Sequence, residues 1–432
     1  MSALVGLDLA TAPTAILVAS GGGEFSRGDV RRQADELIAE MAARGVTRAM
    51  VRSDDPLHVL RAVDACSRAG VDLFIAHVTV PDEHIEAICA DNSVQLVIGE
   101  EIVWRDLEAA PASGRILMMT SGTTGRPKVA SHTLETLLAR VRNGARKGAV
   151  ANGRWLLTYQ TTGFAGVQVV LTAALTKGLV VAAGQRNPAG FYEAARRYAV
   201  NQISGTPTFW RSLLMVARPG ELDLRQITLG GEASDQVTLD RIRAAFPEAR
   251  ITHTYASTEA GVVYAVHDGQ EGFPANWLDR MDGPVQLRVR DGFLQIKTAN
   301  AMRGYLTEAS QPLLGDGWLS TSDRVEIAGE RVRIIGRDDA TINVGGSKVY
   351  PLAIETFLLR QPGVAEARVF GIPNPISGAL VAAEIVLESG LDAAKARQEI
   401  LASCRAELPA YQQPRMFKIV DEIEVRTSGK KG

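Results

Sequence analysis

Thr120, Ser121, Gly122, Thr123, Thr124, Gly125 and Lys128 fall within nine consecutive positions, in the stretch TSGTTGRPK. Glycines let a backbone approach phosphate oxygens, hydroxyls donate to them, and a lysine adds a point charge. The pattern suits a loop that holds phosphates. It is not a Walker A loop, which ends in Gly-Lys-Ser/Thr, because here Pro127 precedes Lys128 and Val129 follows it. A plain surface loop of the same composition is the competing reading.

Three further stretches carry residue types of the same kind. In HTYASTEAG (253–261) one carboxylate, Glu259, sits beside three hydroxyl residues and an aromatic. Glutamate can hold a hard cation such as Mg²⁺, and Tyr255 can stack on a base; an ordinary turn is the alternative. In DGWLSTSDRVEIAGERVRIIGRDDATINVGGSKVYP (316–351), Asp323 and Arg337 each close a short apolar element, as ligand-touching residues at strand ends do, or as a structural ion pair would. In EVRTSGKKG (424–432), Lys430 follows a Ser-Gly turn two residues from the last one; taken singly it reads as a solvated charge.

The elements that must position these groups follow from periodicity. TAILVAS (13–19) and TRAMVRS (47–53) are apolar runs of strand length. Between them Val30, Ala34, Leu37, Ile38 and Met41 fall at helical spacing, with Ser26 or Asp29 as N-cap and Gly45 as the stop. The cycle repeats with a helix from Pro56 to Gly70, VDLFIAHV (71–78), a helix after Pro81, and VQLVIG (94–99). Strands alternating with helices predict a largely parallel sheet covered on both faces. RILMMT reads as a strand before the phosphate-type stretch and LETLLARVRN as a helix after it, so the spacing predicts strand, loop and helix, with the helix N-terminus facing an anion. From about residue 280 the pattern changes. VQLRVRDGFLQIKT (285–298) predicts a hairpin across Asp291-Gly292, and RVEIAGERVRIIG (324–336) a second across Gly329. Beyond Gly336 the pattern is that of a compact α+β unit, with PLAIETFLLRQ a helix and LVAAEIVLE a strand; the hinge falls in GRDDA (336–340).

Composition sets the outer bounds. At 432 residues the chain is too long for one ordinary core. It is 46% hydrophobic and 22% charged, with 47 Lys plus Arg against 49 Asp plus Glu and a net charge of −2. That balance leaves no electrostatic footprint for nucleic acid or an anionic membrane. The apolar stretch around 163–183 is interrupted by Gln168 and Lys177, which predicts a buried α/β element rather than a membrane span. Cys66, Cys89 and Cys404 fit no metal spacing and suit a reducing cytoplasm; no signal-peptide pattern follows Met1.

Taken together and in this order, the motifs resemble those of the AMP-forming adenylating enzymes: acyl- and aryl-CoA synthetases, peptide-synthetase adenylation domains and luciferase. TSGTTGRPK resembles the family's phosphate loop, LGGEAS (229–234) its adenine-side segment, and YASTEAG its Tyr-Gly-x-Thr-Glu motif. DGWLSTSD resembles the segment that ends in the ribose aspartate, GRDDATINVGGSKVYPLAIE the hinge and the start of a mobile domain, and TSGK the segment carrying the catalytic lysine. Ala256 and Ser322 stand where the family commonly has glycine, and the part before the phosphate loop, about 120 residues, is shorter than in most members.

The resemblance implies an α/β protein: a large N-terminal domain of layered β-sheets with helices (1–336) and a small mobile α+β C-terminal domain (337–432), hinged near Asp339. It implies a two-step reaction. A carboxylate attacks the α-phosphate of MgATP, giving acyl-adenylate and pyrophosphate; a thiol then takes the acyl group and releases AMP. Thr120 to Gly125 and Lys128 would hold the β- and γ-phosphates. Glu259 would anchor Mg²⁺ and Thr258 would sit near the α-phosphate. Tyr255 would stack on adenine, with Gly231, Glu232, Ala233, Ala256 and Ser257 around the nucleotide. Asp323 and Arg337 would reach the ribose, and Lys430 would bridge the carboxylate and the α-phosphate. Gly345, Gly346 and Lys348 would line the thiol approach.

The acid side is placed by the same resemblance. TYQTTGFAG (158–166) stands where relatives show an aromatic followed by His-x-x-Gly, with Gln160 in the histidine's position. The pocket candidates are Tyr159, Gln160, Gly163, Phe164, Trp210, Gly231 and Ala256. They mix aromatic and small residues and suit an aryl or medium-length acid. The aspartate that pairs with an amino-acid ammonium is missing from the expected place, which disfavours α-amino acids. CoA is the expected thiol; a carrier-protein phosphopantetheine is the alternative, and a non-catalytic nucleotide-binding relative the third reading. The identity of the acid and the oligomeric state, a homodimer included, stay open.

Overall fold

Of the two N-caps the sequence offers, Ser26 begins the first long helix and Asp29 stands at its third position. The Ser26 hydroxyl accepts from the Asp29 backbone N–H while the Asp29 carboxylate accepts from the Ser26 N–H, a capping box that satisfies two otherwise orphaned donors. The computed structural model describes residues 6–120, 128–146, 152–218, 220–280, 282–306 and 316–423.

In chain order the first elements are β1 (Ile16–Ser20), β2 (Gly23–Ser26), α1 (Arg27–Ala43), β3 (Arg48–Val51), α2 (Pro56–Ala69), β4 (Asp72–Ile75), α3 (Asp82–Asp91), β5 (Leu96–Ile98), β6 (Ile102–Trp104), β7 (Arg115–Thr120), β8 (Lys128–Thr133) and α4 (Leu134–Arg146). Then come β9 (Arg154–Leu157), α5 (Phe164–Leu175), β10 (Leu179–Ala182), α6 (Pro188–Arg197), β11 (Gln202–Gly205), α7 (Pro207–Val216), β12 (Gln226–Leu229), α8 (Gln236–Ala245), β13 (Arg250–Ser257) and β14 (Gly261–Val266). They build two mainly parallel sheets, one in the order β6-β5-β3-β4-β7-β8, the other β14-β13-β12-β11-β9-β10-β1-β2.

Strand alternation sets the layers. Ala49, Val51, Leu73 and Ile75 turn to the shared core with α1, α2, α4 and α5, where Trp155, Leu157 and Val180 of the second sheet meet them. Met50, Phe74 and Leu117, one residue out of phase, pack with Ile85 and Cys89 of α3 on the far face. Leu156 and Val181 face the opposite way from their neighbours, towards α6, α7 and α8. The period of two thus gives five alternating layers of helix and sheet.

A five-stranded antiparallel sheet follows, from β15 (Phe273–Pro274), β16 (Val285–Arg290), β17 (Phe293–Thr298), β18 (Leu319–Ala328) and β19 (Arg331–Arg337), in the order β15-β19-β18-β17-β16. Both predicted hairpins are present. Asp291 and Gly292 each take a left-handed φ, +53° and +78°, which a two-residue turn of matching twist requires. The small C-terminal unit holds β20 (Ile342–Val344), β21 (Ser347–Val349), α9 (Pro351–Leu359), β22 (Val364–Asn374), β23 (Gly378–Leu387), α10 (Ala393–Glu407) and β24 (Met416–Ile419) around a core of its own.

One local expectation is corrected. The helix expected in LETLLARVRN is present as α4, but a strand that was not expected stands between it and the phosphate-type stretch. Residues 128–133 form β8, which pairs antiparallel with β7 from Thr120↔Lys128 to Arg115↔Thr133, and α4 starts only at Leu134. Val129, Ala130, Ser131 and His132 are all buried, and residues 303–306 bond to the strand on the side away from β7, so pairing on both edges holds KVASHT extended.

Among the described residues no helix is long and apolar enough to cross a membrane. The three cysteines are buried and free, and burial pushes the Cys89 and Cys404 thiols up to about 11.

Candidate active site

The motif residues collect where parallel strands end. β9 runs into Tyr159 and Gln160, β11 into Thr206, β12 into Gly230 and Gly231, and β13 into Tyr255 to Thr258; all four are adjacent in one sheet. The carboxyl edge of an open α/β sheet is where chain reversals leave backbone groups and side chains free to meet a ligand. A register shift between Tyr255 and Ala256 bends β13 at this point, and Ala256 takes no positive φ, so alanine sits there without strain.

Tyr255, Asp323, Arg337 and Asp339 form one connected group. The Tyr255 hydroxyl donates to Asp323 Oδ2, and its ring stacks on Tyr264 with centroids 5.4 Å apart. Burial, then the Asp323 charge, pushes the Tyr255 phenol well above its ordinary value, so it stays a donor. Arg337 places a guanidinium nitrogen 4.0 Å from Asp323 Oδ1 and grips both oxygens of Asp339 at 3.0 and 2.9 Å. The Arg337 fork, expected at the ribose, is therefore shared between Asp323 and Asp339, the residue expected at the hinge.

Glu259 and Thr258 form a second group. Ser257 Oγ accepts from Ala260 N at 3.0 Å and closes the turn after β13. The Tyr305 hydroxyl donates to Glu259 Oε1 at 2.7 Å, and the Lys128 ammonium lies 5.5 Å from the Tyr305 ring centroid. His132 of β8 reaches the Thr258 carbonyl with Nε2 at 2.7 Å; a carbonyl only accepts, so Nε2 carries the proton. Burial holds His132 below the usual imidazole range, against smaller opposing effects from the Thr258 bond and Glu259, which keeps the ring neutral.

On the acid side the structure separates the candidates. Tyr159 is buried and its hydroxyl donates to the Gly230 carbonyl at 3.2 Å, beside Gly231, whose φ is +84°. Gly163 caps α5 and Phe164 opens it, with the Phe164 ring 6.2 Å from His132. Gln160 is buried, and its carbonyl would lie 1.9 Å from a Cβ at Gly166, so only glycine lets the first turn of α5 approach. Trp210 is a correction. It is fully buried on α7, edge-on to Phe209 and Phe246, with Nε1 bonded to the Thr228 carbonyl, so it is a core residue rather than a pocket wall. Glu232 likewise faces protein: its Oε2 accepts from Thr208 N and Oγ1 at 3.2 and 2.8 Å, capping α7. Ala233 lies in the link from β12 to α8.

Gly345 and Gly346 make the turn between β20 and β21 with φ of +57° and +85°. Lys348 Nζ pairs with Asp338 Oδ1 at 2.7 Å, next to Asp339. Thr120 ends β7. Ser121, Gly122, Thr123, Thr124 and Gly125 lie outside the described residues, as does Lys430.

The AMP-binding enzyme family matches residues 104–306, and the AMP-binding enzyme C-terminal domain matches residues 353–430. The chain belongs to the AMP-forming adenylating enzymes. Among its relatives is 2-succinylbenzoate–CoA ligase of Bacillus subtilis, 24% identical over 93% of this chain and 89% of that one. The fatty acid–acyl-carrier-protein ligase MmaC of Mycobacterium marinum is 27% identical, again over 93% and 89%. Among solved structures, the anthranilate CoA ligase AuaEII in complex with anthranoyl-AMP superposes with a TM-score of 0.81, at 18% identity, over 98% of this chain and 95% of that one. The fold is thus that of the adenylating enzymes: a large layered domain and a small C-terminal one.

In this adenylating enzyme three contacts escaped the reading of the sequence. His132 and Tyr305 touch Thr258 and Glu259 across 126 and 46 residues of chain. Arg211, on α7, holds Glu366 of the small domain. A histidine four residues past the phosphate-type lysine was a signal in principle; nothing local marked the other two.

Proposed function

We propose that this enzyme activates a carboxylic acid with ATP through an acyl-adenylate and transfers the acyl group to a thiol, CoA first among them. The observation that carries the reading is the convergence of two groups about the end of β13: Tyr255–Asp323–Arg337, and Glu259–Tyr305–Lys128, the lysine opening β8. The first offers an aromatic face and a carboxylate to a nucleoside. The second offers an ammonium and a carboxylate to the phosphates. Pyrophosphate leaves from one side of the α-phosphorus while the acid attacks from the other, so catalysis is mostly positioning and charge neutralisation.

Glu259 fits a magnesium ion. It is half-buried, one oxygen accepts the Tyr305 hydrogen bond, and the other accepts no hydrogen bond from the described residues. Mg²⁺ is commonly held by one or two carboxylates plus substrate phosphates, where it withdraws charge from the phosphate oxygens. Lys128 would bind the departing phosphates, Thr258 would sit near the α-phosphate, and Lys430 would stabilise the charge that develops as the acid attacks. Tyr159, Gly163 and Phe164 would border the acid. The domains divide at residue 336, with Asp339 as the hinge about which the small domain turns between the two steps. Gly345, Gly346 and Lys348 would then face the thiol. The buried free cysteines support a reducing, cytoplasmic setting.

A second reading, loading of a carrier-protein phosphopantetheine, is favoured by the likeness to an acyl-carrier-protein ligase. The deciding experiment is pyrophosphate release from MgATP with aryl, fatty and amino acids, each without thiol, with CoA, and with a phosphopantetheinylated carrier protein. Release that depends on one acid class and turns over with CoA supports the leading reading. Turnover with the carrier protein alone selects the second. ATP binding with no release for any acid would overturn both.

A further inference from the structure

We propose that Tyr305 is a positioning residue for the magnesium and pyrophosphate side of the site, aligning the Glu259 carboxylate and the Lys128 ammonium with one side chain. The proposal rests on the reading of Glu259 as the metal anchor.

Tyr305 is fixed by its backbone before its side chain acts. It forms an isolated antiparallel bridge with Ala130, flanked by Ser131 N to Gly304 O at 2.9 Å, Arg303 N to Ser131 O at 2.7 Å and Leu306 N to Val129 O at 3.0 Å. Met302 N donates to the Glu259 carbonyl at 2.8 Å. Residues 302–306 are therefore stitched to the strand that begins with Lys128 on one side and to the turn that carries Glu259 on the other.

The side chain then works at both ends. The last torsion of a glutamate is broad, so a carboxylate held only by its own chain presents its lone pairs in many directions. The 2.7 Å bond from the Tyr305 hydroxyl to Oε1 restricts the carboxylate and narrows the directions in which Oε2 presents its lone pairs. A carboxylate oxygen only accepts, so the phenol is the donor in this bond. The ring meanwhile offers its face to Lys128 Nζ at 5.5 Å, close enough for a cation–π attraction. One residue thus couples the group proposed to hold the metal to the group proposed to hold the leaving phosphates.

The test uses the full-length chain, Mn²⁺ as the metal probe and α,β-methylene-ATP as the nucleotide. Mn²⁺ binding is followed by its paramagnetic resonance signal, and nucleotide binding is measured separately in EDTA. Outer-shell partners of metal ligands are worth roughly 10–100-fold in metal affinity. Tyr305→Phe, which keeps the ring, should weaken Mn²⁺ binding by at least roughly 10-fold and leave metal-free nucleotide binding and thermal stability near wild type. Tyr305→Leu should in addition raise the KM for pyrophosphate in the reverse reaction, because Lys128 loses the ring. Glu259→Gln is run alongside. If it weakens Mn²⁺ binding and Tyr305→Phe does not, the proposal falls while the metal anchor stands. If Glu259→Gln leaves Mn²⁺ binding unchanged, both fall. A loss in Tyr305→Phe that is equal with and without metal also overturns the proposal, since a general distortion would explain it.

Discussion

Asp323 receives a hydrogen bond from a phenol that burial prevents from ionising, and that contact makes a clean test of the nucleoside side. Tyr255→Phe keeps the stack on Tyr264 and removes only the donor. A hydrogen bond to a charged group is worth about 1.5–3 kcal/mol, so the KM for ATP should rise roughly 10- to 100-fold with the KM for the acid little changed. Equal rises in both would mean that Tyr255 supports the whole site rather than the nucleoside. Lys430 gives the complementary test. Removing one electrostatic stabiliser of a transition state costs about 3–4 kcal/mol, so Lys430→Ala should slow adenylate formation roughly 10²- to 10³-fold while thioester formation from supplied acyl-adenylate survives. Equal loss in the two half-reactions would sink that role.

At the scale of elements, the two-period pattern revealed the layers, and the hydroxyl, glycine and acidic motifs revealed the strand ends. α1 with its Ser26 cap and the Asp291-Gly292 hairpin were legible because caps and tight turns are set by residues next to one another. β8 was not: its strand form comes from pairing with β7 and with residues 303–306, contacts that no local pattern records. Trp210 misled for the related reason that an aromatic on a helix faces core or ligand depending on its neighbours, here Phe209 and Phe246. His132 shows what such burial costs. It, His58, His77 and His253 are all held below the ordinary 6.5 by burial. The unfolded chain therefore binds protons first, and stability that is complete above 6.5 is lost as the pH falls through it towards the folded values. Asp35, Asp72, Asp268 and Asp339, held below 3.8, act in the same direction only at lower pH. Denaturant midpoints should fall between about pH 6.5 and pH 5, with a shallower slope in His132→Asn. A flat profile over that window would show that these histidines are hydrated and free to charge.

At the scale of the whole molecule, the two domains share one buried cation. The Arg211 side chain, on α7, is only 4% exposed; its Nε donates to Glu366 of the small domain at 2.7 Å, while its other nitrogens hold Asp235, Thr238 and Thr208. Burial alone would lower the Arg211 pKa, but Glu366 and Asp235 outweigh it and raise it, so the cation persists. Thr208 in turn donates to Glu232, so the helix end that pins the small domain also meets the adenine-side segment. Arg241 to Glu388 at 2.8 Å and Arg360 to Glu271 at 3.3 Å add outer, more exposed ties. If the small domain turns about Asp339, Glu366 must leave for water while Arg211 keeps Asp235, so the two partners have unequal effects. Arg211→Met takes the Arg211 cation from two buried carboxylates and should cost about 3–5 kcal/mol of stability in denaturant unfolding. Glu366→Gln removes charge from one side only, so it should barely move the unfolding midpoint and yet loosen docking, seen as faster amide hydrogen exchange in β22 and in the first turn of α7. Exchange at the wild-type rate in Glu366→Gln would show that the outer ties suffice and that the buried pair serves α7 alone.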